Sequence, residues 1–153
     1  MKSARTTVKR HPERGAYDRA TVDAILDEAL ICHLGFVVDG QPFVIPTIHA
    51  RDRDVLYVHG SPGSRMLRNM KEGVDVCVTA TLLDGVVLAR SVYNHSMNYR
   101  SVVVLGHAHE VTDREEKLRA MERVVEHVVP GRWADARQPN EKELKATISS
   151  RSR

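Results

Sequence analysis

The sequence predicts a mainly β domain, a small antiparallel barrel or strongly coiled sheet with flanking helices. Three observations carry that class. Six short runs are rich in β-branched and aromatic residues, two Asp-Gly dipeptides sit where two-residue hairpin turns would, and helical spacing is confined to four short stretches.

Thr21 can cap a first helix running to about Leu30, with Val22, Ile25, Leu26, Ala29 and Leu30 on one apolar face. Strand runs follow: HLGFVV, the turn Asp39-Gly40, FVIPTIHA, the charged turn RDRD, and VLYVHG. After the loop SPGS, the stretch RMLRNMKE reads as a short helix ended by Gly73. Next come VDVCVTATLL, a second two-residue turn at Asp84-Gly85, VVLARSVY, and the long run YRSVVVLGHAHEV. Asp113 and Glu116 form a capping box for a helix carrying Leu118, Met121, Val124, Val125 and Val128, and Pro130-Gly131 stops it. A last short helix, NEKELKAT, starts at Asn140. No internal repeat is present.

A chain of 153 residues suits one domain. Its composition, 42% hydrophobic and 28% charged, is that of a soluble globular protein, and no window approaches the roughly 18 consecutive apolar residues of a membrane span. The basic start lacks an apolar segment behind it, so it does not read as a secretory signal, and a cytoplasmic location is expected. The net charge of +3 comes largely from the two ends. Without interleaved aromatic residues these basic ends read as solvated tails rather than a nucleic-acid arm. Cys32 and Cys77 each lie in an apolar run and read as reduced, small hydrophobes.

Four stretches could carry chemistry. HGSPGSR, His59 to Arg65, follows a strand and opens a helix, so free backbone N–H groups and the Arg65 guanidinium favour an anion there. Ser64 as a plain N-cap and Arg65 as a solvated charge account for the same residues. VIPTIHA carries Pro46 inside a strand, which belongs at an edge or bulge where backbone groups are free for a ligand. His107-Ala108-His109 puts two imidazoles on one strand face, with no cysteine or carboxylate in a metal pattern beside them, so no metal is expected. No GxSxG motif exists, and neither cysteine has an activating context. Last, YNHSMNYRSVVVLG joins many side-chain donors directly to a β-branched run, a pattern suited to holding a polar ligand at a strand mouth.

In order and spacing, RGAYDRATVDAILDEALICHLGFVVDGQPFVIPT, LYVHGSPGSRML, VCVTATLLDGVVLARSVYNHSMNYRSVVVLGHAHEV and PGRW resemble the FMN-binding split-barrel proteins related to pyridoxamine 5′-phosphate oxidase. The likeness is to their small bacterial branch, which includes nitroimidazole-resistance-like reductases, and it covers about residues 10 to 147. It implies a six-stranded antiparallel split β-barrel of FMN-binding type, over residues 16–148, between a basic N-terminal tail (1–15) and a truncated C-terminal tail (149–153). It also implies a homodimer with flavin sites at the interface, FMN as cofactor, and flavin-dependent oxidation or reduction of a small organic molecule.

By the same resemblance, His59, Ser64 and Arg65 hold the cofactor phosphate, and Ile45, Pro46 and Thr47 bond the ring edge through their backbone. Ser96, Asn98, Tyr99, Arg100 and Ser101 line the ring, and no catalytic residue is singled out. Two departures from the oxidases stand out: Met66 follows Arg65 where they carry an Arg-Lys pair, which weakens phosphate binding by one cation, and Val103 stands where they carry an arginine in the strand before Gly106, which with the shorter chain points away from vitamin B6 oxidation. The competing reading is a non-catalytic binder of flavin or of haem, with His49, His59, His95 or His107 as iron ligands, or a deazaflavin-dependent reductase.

Overall fold

The computed structural model describes residues 2–60, 73–146 and 148–152. The mainly β, antiparallel architecture is what it shows: β1 (Ile31–Val38), β2 (Gln41–Asp52), β3 (Val55–Gly60), β4 (Val74–Val87), β5 (Ser96–Val111) and β6 (Ile148–Ser152) close a barrel in the order β1-β2-β3-β6-β5-β4. The expected helix RMLRNMKE and the loop before it lie outside the described residues.

Asp39-Gly40 makes the anticipated turn. Both residues take positive φ, 50° and 77°, and Val38 pairs with Gln41 across them, the geometry that favours this dipeptide in two-residue hairpins. The second dipeptide behaves differently. Asp84-Gly85 lies inside β4, where the register with β5 shifts between Leu83 and Gly85, so it is a β-bulge and the chain runs on to Val87. VVLARSVY is therefore not a strand of its own: it is the end of β4 plus a loop with a 3-10 turn at Val92–Asn94. Where a tail was expected at 149–153, Ile148–Ser152 pairs on one side with β3 and on the other with β5.

Alternation sets the barrel interior. Cys32, Leu34 and Phe36 of β1 meet Val76, Val78 and Ala80 of β4 inside, and their odd-numbered neighbours face out. Two free thiols thus sit on opposite faces: Cys32 is fully buried, and its pKa is pushed up to about 11 by that burial, whereas Cys77 is on the outer side.

Helix α1 (Arg19–Glu28) plugs one end of this core with Ile25, Leu26 and Ala29. It begins earlier than Thr21 suggests, because Asp18 is the N-cap and its carboxylate accepts the Thr21 N–H at 2.8 Å. Arg51 of β2 clamps the helix through Asp23 and Asp27, and Arg19 reaches Asp54 and the Arg53 carbonyl in the β2–β3 turn. Helix α2 (Arg114–Val128), capped by Asp113 onto the Glu116 N–H, packs on the barrel wall around Tyr57, Val111 and Ala120. Short helices α3 (Arg132–Asp135) and α4 (Glu141–Ala146) follow. In α4, Asn140 and Glu143 exchange side-chain-to-backbone bonds of 2.9 Å each, a complete capping box. The N-terminal segment is not a free tail throughout: the Tyr17 hydroxyl accepts the Val8 N–H at 2.7 Å, and Lys2 lies over the Tyr17 ring.

No described helix is long and apolar enough to cross a membrane.

Candidate functional site: the outer face of β2-β1-β4-β5

Side chains that alternate away from the core line up across four strands. The register places Pro46 opposite His33, His33 opposite Thr79 and Thr79 opposite Val103, a continuous row. Two residues along each strand a second row runs Val44, Gly35, Cys77, Leu105. On the other side of the first row, Ile48 faces Ile31 and Thr81 faces Ser101. No described helix covers this face, and Val44, Ile48, Val103 and Leu105 are exposed on it.

The β2 end of the face has an open edge. Residues Gln41 to Ile48 pair with β1, but pairing with β3 is confined to His49–Asp52. Pro46 thus sits on an edge, as its missing N–H demands, and among the described residues no strand pairs with it on that side. At the opposite end, β4 and β5 run on beyond β1, whose pairing with β4 stops at Cys32↔Ala80, and form a two-stranded arm from Thr81 to Ser101. The arm is apolar and exposed: Leu83, Val86, Leu88, Met97 and Tyr99 face solvent, and Val92 and Tyr93 at its tip are 90% and 93% exposed. Bare apolar surface on this scale marks an interaction site.

The residues singled out from sequence separate into three groups. Pro46 and Ser101 share the outer face, with Tyr99 further along the arm opposite Leu83, and Ser96 and Asn98 lie exposed on the arm. Ile45 and Thr47 point inward, opposite Leu34 and Cys32, so their side chains do not reach the outer face. Arg100 also turns to the inner side, where its guanidinium forks onto Glu28 at the end of α1 (2.7 and 2.9 Å) and onto Asp84 of the bulge (2.9 Å). These hydrogen bonds hold the Glu28 and Asp84 carboxyls below their usual range and raise the arginine further. Arg100 therefore fastens the arm to α1. His59 lies on β3 with its backbone opposite Ser149, whereas Ser64 and Arg65 lie outside the described residues.

His33, Thr79 and Thr81 were missed. The signal was present: in β1 the inward positions Cys32, Leu34 and Phe36 are all apolar, which leaves His33 facing out. Of the histidines considered as iron ligands, His49 is fully buried with Nε2 3.0 Å from the Leu26 carbonyl. His95 and His107 are exposed, with Nδ1 oriented by the Ser91 carbonyl and by Asp75 respectively. Among the described residues, no three His, Cys, Asp or Glu side chains converge as a metal site.

The fold is shared with known proteins. The family described as pyridoxamine 5′-phosphate oxidase matches residues 18–152. The chain belongs to that family. Among solved structures it is similar to the flavocytochrome Anf3 of Azotobacter vinelandii, with 40% identity and a TM-score of 0.88, over 97% of this chain and 69% of that one. It is also similar to an FAD- and haem-binding protein of Mycobacterium smegmatis, with 34% identity and a TM-score of 0.83, over 89% of this chain and 66% of that one. The chain thus spans about two thirds of the length of each. A candidate 5-nitroimidazole antibiotic resistance protein of Bacteroides thetaiotaomicron, at 23% identity and a TM-score of 0.71 over 90% of this chain and 80% of that one, shares the fold. No curated protein matches.

Proposed function

We propose that this family member is a cytoplasmic homodimeric flavoprotein that binds its flavin on the outer face of β2-β1-β4-β5 and oxidises or reduces a small organic molecule. The observation that carries the reading is the open edge of β2 beside an uncovered four-strand face. The edge segment Ile45–Pro46–Thr47, whose alternate backbone groups face away from β1, suits the heteroatom edge of a flat ring, and His33, Thr79, Thr81 and Ser101 offer side-chain donors and acceptors along its length. A bound flavin supplies the redox chemistry itself, so the protein's task is to hold it, orient it and keep water away. The bare apolar arm suits a second copy, which would cover the ring from the other side. FMN is the form the family likeness suggests; the phosphate would fall to the loop carrying Ser64 and Arg65. Arg100 acts as a positioning residue that sets the arm against α1.

Haem is the second reading, favoured by the haem-binding relative at 34% identity. His95 suits it best, since the Ser91 carbonyl orients Nδ1 and leaves Nε2 outward, the arrangement ligating histidines adopt. Visible absorbance of the purified protein and the mass of the released chromophore test both. Flavin bands with the mass of FMN support the first reading, FAD changes its nucleotide, and a Soret band supports haem. A colourless protein that takes up none of them contradicts both.

A further inference from the structure

The second outer row ends in a groove of about 560 Å³ that the flavin reading does not use. Its floor is the row Val44, Gly35, Cys77 and Leu105, and its far wall is Pro42, Val37, Asp75 and His107. Gly35 contributes no side chain, so the floor is flat where β1 crosses it. From Val44 to Leu105 the row crosses four strands, about 14 Å at the usual strand spacing, enough for one or two fused rings lying flat. Over this apolar floor stands Arg5.

Arg5 is held there by the folded N-terminal segment. Thr6 and Thr7 close a turn on the Ser3 carbonyl (3.2 and 3.0 Å), and Tyr17 bonds the backbone of Val8 and takes Lys2 on its ring. Two charged side chains line the groove: Asp75, on the far wall and open to solvent, with its carboxylate 3.0 Å from His107 Nδ1, and Arg5, which makes no ion pair among the described residues. A guanidinium with no ion-pair partner above a flat apolar floor, with the one carboxylate at the solvent-open far wall, favours a flat apolar body whose negative charge lies at the Arg5 end.

We propose that this groove binds a planar aromatic or conjugated carboxylate, the ring lying on Gly35 and the carboxylate on Arg5. The row Pro46, His33, Thr79, Val103 lies only two residues along each strand, about 7 Å away, so such a molecule would sit edge to edge with a ring held there. In that sense the inference rests on the flavin reading and names the substrate class; binding itself does not require the flavin.

The test is equilibrium dialysis of the full chain, as purified, with 1-naphthoate and with the uncharged 1-naphthamide, for the protein and for Arg5→Ala and Val44→Trp. Naphthoate is expected to bind at least about tenfold more tightly than the amide, a ratio set by one charge-assisted contact. Arg5→Ala should bring naphthoate to the level of the amide and leave the amide unchanged, and raised salt should do part of the same. Val44→Trp, at an exposed position, should fill the groove and weaken both probes alike. Equal affinities for the two probes, no effect of Arg5→Ala, or no binding of either overturns the proposal. Flavin absorbance of the same samples reports the other reading separately: naphthoate binding by a chain that holds no flavin keeps this site and removes that one.

Discussion

Acidification from about pH 7.5 to about pH 5.5 should weaken the fold through His49, whose ring is wholly buried under α1 and α2. Nε2–H donates to the Leu26 carbonyl, an acceptor left over at the end of α1, and Nδ1 has no partner among the described residues. The neighbouring His127 ring, 5.2 Å away between centroids, donates from Nε2 to the Ala29 carbonyl, so both imidazoles hold the same helix end. Burial first, and the proximity of His127 next, lower the pKa of His49 below its ordinary value, against the opposing pull of the Leu26 carbonyl and Asp27. In the unfolded chain the same ring titrates near 6.5. The unfolded state therefore binds more protons below that pH, and stability is complete above about 6.5 and lost as pH falls toward the folded value. One proton over this interval sets a ceiling of about 1.4 kcal/mol, or roughly 3–5 °C in Tm for a domain of this size. Thermal melts of the protein and of His49→Gln at both pH values measure it, since Gln keeps a donor for Leu26 but cannot titrate. The wild type should lose those degrees and the variant should lose clearly fewer. Equal losses in both would refute the assignment.

Leu34→Ala, in the centre of the barrel at 1% exposure, should cost about 2–5 kcal/mol, read by urea unfolding with unchanged m-value. Arg65→Ala should weaken FMN binding by roughly ten- to a hundredfold, the loss of a charge-assisted contact of about 1.5–3 kcal/mol, and leave riboflavin binding unchanged. Equal losses for the two flavins would place the damage in the fold. Arg100→Ala should return the Glu28 and Asp84 carboxyls upward to the ordinary carboxylate range, seen by NMR titration, and free the arm to move, seen as faster amide exchange at residues 96–100.

Local chemistry was legible where it stands alone and misleading where a distant strand decides. Asp39-Gly40 and Asp84-Gly85 are the same dipeptide, yet only the first turns the chain. The second is carried straight on by its pairing with β5 on both sides of the bulge and by Arg100, sixteen residues away, gripping Asp84. The stretch ISSRS has neither apolar alternation nor a hairpin partner beside it; its partners, β3 and β5, are set by the closed ring, so it read as a tail. Pro46 was legible because a missing N–H permits few places in a sheet. The candidate site was legible as the stretches VIPT and NHSMNYRS but not as a surface, because which of those side chains share a face depends on register. That register brings His33, Thr79 and Thr81 beside Pro46 and Ser101, and turns Arg100 away toward α1.

The central claim, a flavin lying on the outer face against the open edge of β2, is tested most directly by NMR of the labelled protein titrated with FMN. The largest amide shifts should fall on residues 45–48 of β2 and on the facing positions His33, Thr79, Thr81 and Ser101, with saturation at one flavin per chain. Shifts confined to other walls of the barrel, or none at all with any flavin, would contradict it.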